Sequence, residues 1–394
     1  MRKYSTVVIG GGAAGICAAI AQGRRGESVI ICEKMPQLGK KLLASGDGRC
    51  NLLNNKMDES NYNPAARDLV KSIFNRFGKS EILDFFKGLG LEVYSKEDRI
   101  FPITNQAASV LKVLEMELQR LSIPIELNFD CSSVSFSQGN IIVSSKSDRM
   151  IECHKIIMTG GGRTYPAFGS DGSLYTTAKL LGHSIIEPVP AAVPLVIQDN
   201  LCQILQGQKI FATSKSIIQG KEESQAKGEL LFTKYGLSGT CILDISEELS
   251  IALNRHHKRE VFVSIDMVPF MGKEPLQIEL ARRLKSKLPA EEMLVGILPN
   301  KFSVALKNLF REEDTEVTVN ALKNRLFKVT GTRGWNEAEF TCGGINVDEV
   351  KPDTLESKFK ENVYFAGEIL DVNGKRGGFN LGWAWASGFI AGSI

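Results

Sequence analysis

The chain has 394 residues, 43% of them hydrophobic, and a formal net charge of +3 at pH 7. This length favours two or three domains with full hydrophobic cores, and the near-neutral charge gives no reason to expect a nucleic-acid or membrane-surface partner. The eight cysteines are scattered without a CxxC pair and there are only four histidines, so the sequence argues against a disulfide framework and a metal site and predicts a cytoplasmic protein.

The first predicted unit, residues 5–33, is a strand, a glycine turn, a helix and a second strand. The apolar run 6–9 leads into Gly10-Gly-Gly12-Ala-Ala-Gly15, and the apolar run 28–32 ends at Glu33. This order of elements, closed by an acidic residue, is typical of a dinucleotide-binding βαβ unit.

Each residue type in the turn has a physical role. Gly10 permits the tight turn, Gly12 lets the backbone approach a pyrophosphate, and Gly15 lets the helix lie close on the sheet. The helix that begins near Ala13 directs its unpaired N–H groups at the diphosphate. Glu33 accepts hydrogen bonds from an adenosine ribose and disfavours a 2′-phosphate, which predicts FAD or NAD rather than NADP.

The segment up to about residue 187 continues the same domain. The polar, glycine-rich stretch 38–54 is predicted to be a loop that contacts the ligand. Apolar positions at helical spacing predict a helical pair over 65–90 and a helix over 106–121. Strand-like runs follow at 124–129, 140–145 and 154–158.

The composition changes around Pro188-Val-Pro190. From there to about 268 strand-like runs predict a β-rich insertion. These runs are 193–197, 229–233, 241–245 and 260–266. Three helical stretches are predicted over 275–328, with breaks at Pro289 and Pro299. Strands return at 340–346 and 362–368, and an apolar helix is predicted over 381–392. No stretch of about 18 continuously apolar residues free of glycine follows the N-terminal segment, which predicts no membrane contact.

Five motifs in order resemble the BaiN/YhiN-like family of FAD-dependent oxidoreductases, which is related more distantly to flavoproteins of the glutathione-reductase and succinate-dehydrogenase types. The motifs are GGGAAG at 10–15, EKMPQLGKKLLASGDGRCN at 33–51, TGGGRTYPAFGSDG at 159–172, LFTKYGLSG at 231–239 and FAGEILDVNGKRGGFNLGWAWASG at 365–388. The family includes aminoacetone oxidase-like members, and the resemblance covers nearly the whole chain.

The fold class that follows is α/β, with a Rossmann-type FAD-binding domain, an inserted β-rich domain and a helical subdomain. The predicted FAD-binding domain comprises 1–187 and 337–394. The β-rich substrate domain comprises 188–273 and 329–336, and the helical subdomain 274–328.

The resemblance implies that FAD lies extended across the first domain. The residues expected to bind it are Gly10, Gly12, Ala13, Ala14, Gly15, Glu33, Lys34, Lys41, Arg49, Cys50, Asn51, Cys131, Thr159, Gly160, Gly161, Gly367, Glu368, Asp371, Gly377, Gly378, Phe379 and Asn380. In this arrangement Lys41 and Arg49 offset the charge of the diphosphate. Glu368 and Asp371 meet the ribityl hydroxyls, and the backbone of Cys131 contacts the adenine edge.

The segment 377–380 precedes the apolar helix 381–392, whose N-terminal amides are expected to point at the pyrimidine side of the flavin ring. The positive end of the helix there stabilises negative charge on the reduced ring. Burial of this helix supports that role, because it fixes the direction of the helix dipole relative to the flavin ring.

The predicted chemistry leaves several functions open. No second GxGxxG appears, so the sequence predicts no separate nicotinamide-binding domain, and NAD(P)H is expected to bind only transiently when it reduces the flavin. Cys50 lacks a nearby cysteine partner, which argues against a dithiol relay. One interpretation is reduction of an activated C=C bond in a small organic substrate, and another is oxidation of a small amine by oxygen. A flavin-dependent RNA-modifying enzyme or a non-catalytic flavin-binding protein is the alternative of another class. The oligomeric state is not predicted.

Three side chains are candidates for acid–base work or for pairing with an anion, namely Tyr235, Lys234 and Arg99. Each also has an ordinary interpretation, as an aromatic at the edge of the core or as a solvated charge. Relatives commonly carry histidine where this chain has Lys234, and Asp47 adds a carboxylate near the expected flavin position. Both departures lie where the resemblance places the flavin and the substrate, so they bear on which substrate is used.

Overall fold

The computed structural model describes residues 2–310 and 314–394. The chain forms two compact units, one made of Met1–Pro188 with Phe340–Ile394 and the other of Val189–Glu339.

The strands and helices are numbered here in chain order. The strands are β1 (Arg2–Ile9), β2 (Val29–Cys32), β3 (Leu53–Asn54), β4 (Val93–Lys96), β5 (Arg99–Pro102), β6 (Ile125–Glu126), β7 (Cys131–Ser137), β8 (Asn140–Ser145), β9 (Met150–Met158), β10 (Ile185–Ala191), β11 (Leu195–Ile197), β12 (Lys209–Ile218), β13 (Lys221–Thr233), β14 (Gly236–Ser238), β15 (Val261–Asp266), β16 (Arg325–Thr332), β17 (Phe340–Ile345) and β18 (Val363–Phe365). The helices are α1 (Ala13–Arg24), α2 (Lys40–Ala44), α3 (Arg67–Phe74), α4 (Lys79–Gly88), α5 (Ala107–Arg120), α6 (Ser173–Leu180), α7 (Asn200–Ile204), α8 (Thr240–Ser250), α9 (Lys273–Lys285), α10 (Asn300–Ala305), α11 (Thr315–Lys323) and α12 (Phe379–Gly392).

The first unit is built on a seven-stranded sheet in the order β6-β2-β1-β9-β8-β7, with β18 paired to the second half of β9. β6, β2, β1, β9 and β18 run parallel, whereas β7 and β8 are antiparallel additions. The βαβ unit predicted from residues 5–33 is present as β1, α1 and β2. The sheet therefore has the Rossmann arrangement that the sequence predicts.

Helix α12 packs along α1 in the core of this unit. A Cβ at Gly388 or Gly392 would overlap the carbonyl oxygen of Ala14 or Ala18, respectively. The last helix of the chain thus lies against the first one at backbone distance, and only glycine permits that distance at these two positions.

The helices predicted over 65–90 and 106–121 are present as α3, α4 and α5. The segment 38–54, predicted to be a loop, instead contains α2 and ends in β3. The difference arises because Lys40-Lys-Leu-Leu-Ala44 combines good helix formers with Leu42, which is buried at 3% exposure. β7 lies in a segment for which no strand was predicted.

The second unit contains a closed barrel of antiparallel strands in the order β11-β14-β13-β12-β15-β16. The strand predicted over 241–245 is wrong, because this segment lies in α8. Cys241, Ile245 and Leu249 recur every four residues and are all buried, so the helical period decides the structure. The helical stretches predicted over 275–328 are present as α9, α10 and α11, but the last residues of that range already belong to β16.

Candidate dinucleotide site

The register of the parallel strands brings four sequence motifs to one edge of the sheet. Ile9 pairs with Cys32 on one side and with Met158 on the other, and Met158 pairs with Phe365. The residues that follow these strand ends therefore lie side by side. They are Gly10, Glu33, Thr159 and Ala366. In open α/β sheets ligands bind outside the carboxyl ends of the strands, so this edge is the candidate site.

The turn after β1 leaves no room for side chains at two of its glycines. Gly10 has φ +111°, and a Cβ there would lie 2.6 Å from the carbonyl oxygen of Thr159. A Cβ at Gly15 would overlap the carbonyl oxygen of Gly10. The hydroxyl of Thr159 donates to the carbonyl oxygens of Ile9 at 3.0 Å and Gly10 at 2.8 Å, which ties the two motifs together.

Gly12 has the opposite environment. It is the N-cap of α1, has φ −83°, and a Cβ there would meet nothing within 4 Å among the described residues. No side chain of the described chain caps the helix, so the first amides of α1, including those of Ala13 and Ala14, have no side-chain partner there. A helix N-terminus with unpaired amides is suited to bind a diphosphate.

Glu33 holds the turn from the neighbouring strand. Its carboxylate accepts hydrogen bonds from the amides of Gly11 at 2.6 Å and Met35 at 2.7 Å, and the residue is 8% exposed. Burial raises the pKa of the Glu33 carboxyl, and the two amide hydrogen bonds oppose that shift. Each carboxylate oxygen keeps a further lone pair, which leaves acceptors for ribose hydroxyls.

The charged side chains of the second motif pair with partners far away in sequence. Lys41 forms an ion pair with Glu368, whose other carboxylate oxygen accepts from the amide of Thr341 at 2.7 Å. Lys34 pairs with Asp171 at 2.7 Å. Lys41 and Glu368, which the sequence assigns to different parts of FAD, therefore lie next to each other.

The Arg49-Cys50-Asn51 segment lies between α2 and β3. The Arg49 guanidinium stands 5.5 Å from the centre of the Phe101 ring. Burial raises the pKa of the Cys50 thiol to about 12, so the thiol stays protonated and can serve a ligand only as a neutral group. The side-chain oxygen of Asn51 and the hydroxyl of Tyr175 are buried without a hydrogen-bond partner in the described chain. Unpartnered buried polar atoms indicate room for a ligand group.

The glycine pair before α12 forms a turn in the left-handed region, with φ +119° at Gly377 and +98° at Gly378. The Asn380 side chain accepts from the amide of Gly374 at 2.9 Å and donates to its carbonyl oxygen at 2.8 Å, so this predicted ligand residue also clamps the loop. Phe379 is buried, and its carbonyl oxygen accepts from the Tyr62 hydroxyl at 2.7 Å.

The structure places Arg99 beside this turn. A Cβ at Gly377 would lie 3.5 Å from Nε of Arg99, which is carried by β5. β5 pairs with β3, and Asn54 of β3 donates to the carbonyl oxygen of Gly377 at 2.8 Å. Of the three catalytic candidates, Arg99 is the one that lies in the first unit, next to the C-terminal motif.

The remaining predicted ligand residues of the first unit also take part in its packing. A Cβ at Gly161 would lie 2.9 Å from the Ser170 hydroxyl oxygen, and one at Gly367 would lie 2.8 Å from Cβ of Ala14. A Cβ at Gly160 would overlap Cδ1 of Leu174 in α6. Cys131 begins β7, and burial raises the pKa of its thiol to about 12. Asp371 is buried, and its amide donates to the carbonyl oxygen of Ile345 at 2.9 Å.

The other two catalytic candidates belong to the second unit and follow β13. Lys234 is exposed to solvent. Tyr235 is half-buried under the Arg333 guanidinium, whose carbon lies 4.5 Å from the ring centre, and Arg333 donates to Glu337 at 2.7 Å. The sequence analysis did not predict this contact between a cation and an aromatic ring. Arg333 directly follows β16 and lies almost a hundred residues from Tyr235 along the chain.

Sequence reasoning also missed three polar residues around the first site, namely Tyr175, Thr341 and Asp171. Thr341 accepts from the amides of Arg163 at 2.8 Å and Thr164 at 3.2 Å through its hydroxyl. Asp171 lies inside the TGGGRTYPAFGSDG motif, so that motif was the available signal for it. Tyr175 and Thr341 carried no signal, because both become relevant only through long-range packing.

These observations fit FAD at this edge of the sheet. The open space in front of α1, the buried Glu33 carboxylate and the unpartnered Asn51 oxygen and Tyr175 hydroxyl are what an extended dinucleotide needs. The fold and the site thus define a Rossmann-type dinucleotide-binding protein. Residues 4–394 match the family described as HI0933-like protein Rossmann domain, and the chain belongs to that family.

The chain is similar to proteins of two named activities and to a solved flavoenzyme fold. It is 35% identical to 3-dehydro-bile acid delta(4,6)-reductase of Clostridium scindens, covering 98% of this chain and 97% of the relative. It is 27% identical to the ribosomal RNA dihydrouridine synthase of Escherichia coli, covering 98% of this chain and 96% of the relative. The structure of 3-ketosteroid-delta4-(5alpha)-dehydrogenase from Rhodococcus jostii RHA1 matches with a TM-score of 0.50 at 15% identity, covering 100% of this chain and 96% of that one.

The predicted resemblance and fold class are confirmed by these findings, and the chain is an oxidoreductase of the flavoprotein class. Across residues 2–310 and 314–394, every helix is too short or too polar to cross a bilayer. The same residues contain no group of three or more His, Cys, Asp or Glu side chains placed to hold a metal ion.

Proposed function

We propose that the protein uses tightly bound FAD and transient NAD(P)H to reduce an activated C=C bond in a small organic substrate. The observation that carries this proposal is the relative named as a bile-acid delta(4,6)-reductase, which is 35% identical over 98% of the chain. The glycine turn, the uncapped N-terminus of α1 and the buried Glu33 support the proposal, because together they would supply a site for the cofactor.

The names of the two curated relatives describe related chemistry. Each names the conversion of a carbon–carbon double bond into a single bond, in a 3-dehydro-bile acid in one case and in a uridine in the other. Saturation of a C=C bond conjugated to a carbonyl adds a hydride to one carbon and a proton to the other. The site must therefore accommodate a hydride source and a proton donor.

FAD, when bound, supplies the hydride chemistry, and the protein supplies position and charge. The amides at the N-terminus of α1 would hold the diphosphate, with Lys41 nearby to offset its charge. The N-terminus of α12 would favour negative charge at the flavin ring. Arg99, beside the turn that begins α12, would pair with the substrate carbonyl as its oxygen gains negative charge.

Lys234 and Tyr235 remain candidates for the proton donor. Tyr235 carries a hydroxyl and lies under the guanidinium of Arg333. Lys234 is exposed and stands where relatives commonly carry histidine. A Tyr235→Phe variant that keeps its flavin and is still reduced by NAD(P)H, but transfers hydride slowly to the acceptor, would identify the tyrosine as the donor.

The first test is the visible absorbance of the purified holoenzyme mixed anaerobically with NADH and, separately, with NADPH. Rapid bleaching of the flavin band, followed by recovery when a steroid with a 4-en-3-one group is added, is expected. If the band stays unchanged with both nicotinamides and bleaches with a small amine instead, the oxidase reaction replaces the proposed one.

A second candidate is reduction of uridine in ribosomal RNA, favoured by the relative from Escherichia coli and by a further relative of the same name from Haemophilus influenzae, 28% identical over 99% of this chain. The nicotinamide-reduced enzyme would be mixed with an unmodified ribosomal RNA transcript and, in parallel, with the enone steroid. Dihydrouridine formed in the transcript, without turnover of the steroid, would assign the RNA reaction and overturn the small-molecule substrate.

A further inference from the structure

A concavity on the barrel of the second unit has a volume of about 310 Å³ and does not involve the cofactor site. The strand register sets its floor, because Thr213 of β12 pairs with Lys227 of β13 on one side and with Asp266 of β15 on the other. Two residues further on, Lys215 pairs with Ser264 in the same way. All five side chains line the concavity. Side chains two residues apart share a face of a strand, so these form one continuous surface.

The lining carries an excess of positive charge. It contains Lys215, Lys227, Lys273 and Lys323 against the single carboxylate of Asp266. Lys323 neutralises Asp266 at 2.7 Å and is 11% exposed, so this pair is part of the wall. Three ammonium groups remain around the opening.

None of these three lysines is neutralised by a buried carboxylate of the described chain, so their positive charges remain available to a ligand. Lys227 is exposed, and no residue of the described chain pairs with it. Lys273 donates to the neutral amide of Asn320 at 3.1 Å. Lys215 pairs with Glu222 at 2.9 Å in a half-exposed contact that adds little to stability and opens readily.

Two hydroxyl groups, those of Thr213 and Ser264, lie on the floor of the concavity and are accessible from it. Thr213 and Ser264 are each 6% exposed, and their hydroxyl groups make no hydrogen bond with any described residue. A ligand in the concavity can therefore reach both hydroxyl groups. Both can donate to an oxygen atom placed between the lysines.

The N-terminus of a helix can supply two further donors, the amides of Lys273 and Glu274, since Pro275 has no N–H and the amide of Leu276 donates to Gly272. α9 has 13 residues and begins at Lys273, with Gly272 as its N-cap and no side-chain cap from the described residues. Its positive end therefore lies where Lys273 lines the opening.

We propose that this concavity is a binding site for a phosphate group. Ammonium groups act on phosphate as point charges, the two hydroxyls donate to its oxygens, and the amides at the start of α9 add to both. The lining contains no arginine, the residue that planar carboxylates prefer for two parallel hydrogen bonds. The site does not depend on the proposed reaction of the flavin.

The phosphate can belong to a polynucleotide backbone or to a small free phosphate compound, and two probes distinguish these sources. Binding of pyrophosphate to the flavin-loaded full chain would be measured by calorimetry. Binding of a labelled single-stranded RNA of about 12 nucleotides would be measured by anisotropy in about 50 mM salt, where backbone contacts are strongest.

The test variant is Lys227→Ala/Lys273→Ala, and the matched control is Lys209→Ala/Lys221→Ala, which removes two lysines of β12 and β13 outside the lining. Thr213→Val removes one hydroxyl of the floor without changing charge. We expect the test variant to weaken binding of at least one probe about tenfold or more, Thr213→Val to weaken it severalfold, and the control to change it less than about twofold. Equal flavin content and equal unfolding temperature show that each variant is folded.

Each result has a defined meaning. Loss of pyrophosphate binding alone assigns a free phosphate compound, and loss of RNA binding with a shallower salt dependence assigns a polynucleotide backbone. If neither probe binds the wild type, or if the control weakens binding as much as the test variant, the phosphate site is wrong.

Discussion

Gly12 and Gly15 differ in what surrounds them, although they lie in one short motif. At Gly15 a side chain would overlap the protein itself, so the glycine is needed for the fold. At Gly12 a side chain would enter open space in front of α1, and the backbone there is extended, which any residue adopts. We therefore predict that the need for glycine at Gly12 comes from the ligand.

We expect Gly12→Ala to fold normally but to purify with little flavin. The added methyl group contacts no described residue, yet it occupies the space that the diphosphate needs, so FAD affinity should fall about tenfold or more. The flavin-to-protein absorbance ratio after dialysis and the unfolding temperature of the apoprotein measure the two effects.

The control is Gly88→Ala, at the last residue of α4, where a Cβ also meets nothing within 4 Å. It should leave the flavin content unchanged. Full flavin occupancy in Gly12→Ala would show that the diphosphate does not lie against this turn.

Among the elements, α12 has two roles that depend on its contact with α1. Its first turn follows Gly377 and Gly378, where the flavin ring is expected, and its last turns lie on Ala14 and Ala18. The Ser387 hydroxyl accepts from the amide of Gly367 at 2.9 Å, which links the helix to the strand end of β18. A change in the packing of α12 on α1 is therefore expected to shift the start of α12, where the flavin ring is expected.

Gly388→Ala should lower both stability and flavin content. The added Cβ overlaps the carbonyl oxygen of Ala14, so α12 must move away from α1, at a cost of about 1–3 kcal/mol in the free energy of unfolding. Urea unfolding of apoprotein and holoenzyme measures the cost. An unfolding free energy equal to that of the wild type would show that the helices are not packed at this distance.

A buried histidine joins three segments of the first unit. His183 is 3% exposed, with Nδ1 3.2 Å from Glu349 and Nε2 2.7 Å from the Ser357 hydroxyl. That hydroxyl already accepts from the amides of Phe359 and Lys360, so its proton points at Nε2, which must be unprotonated. Burial lowers the pKa of His183 below its usual value, although Glu349 opposes the shift.

This environment predicts that stability falls as the pH is lowered through about 6.5, the ordinary histidine value. The folded state holds His183 neutral while the unfolded chain takes up a proton, so the free energy of unfolding decreases by at most about 1.4 kcal/mol per pH unit. Urea unfolding between pH 8 and 5.5 should show this slope in the wild type and a smaller one in His183→Asn. Equal slopes would show that His183 is charged in the folded protein.

At the scale of the whole molecule, all eight cysteines lie in the described part of the chain, are buried and form no disulfide. They are distributed over both units, and burial raises the pKa of the Cys50 and Cys202 thiols to about 12. At pH 8 a thiol with that pKa is ionised on the order of one part in ten thousand. Electron transfer through thiols is therefore disfavoured in either unit.

We expect a thiol reagent to label none of the cysteines rapidly in the native holoenzyme at pH 8 and all eight after unfolding in urea. The measurement is the count of labelled thiols against time, with mass spectrometry to locate any that react. One fast thiol in the native protein would contradict the burial described here and would return dithiol chemistry to consideration.

Much of the fold and part of the site could be predicted because the signals are local. A strand, a glycine turn and a helix follow one another within thirty residues, and their pattern depends on backbone geometry and the period of apolar residues. The short run 241–245 shows the limit, because five apolar-rich residues fit a strand as well as a helix. The burial of Cys241, Ile245 and Leu249 in the second unit made the choice.

The sequence by itself therefore determined the Rossmann unit, the insertion after Pro188 and the residue types available to a dinucleotide. Only the tertiary structure decided that Lys41 meets Glu368, that Arg99 lies beside Gly377 and that lysines of separate strands and helices line one concavity. The physical reason is separation along the chain. Contacts between distant residues depend on strand register and helix packing, which no local pattern specifies.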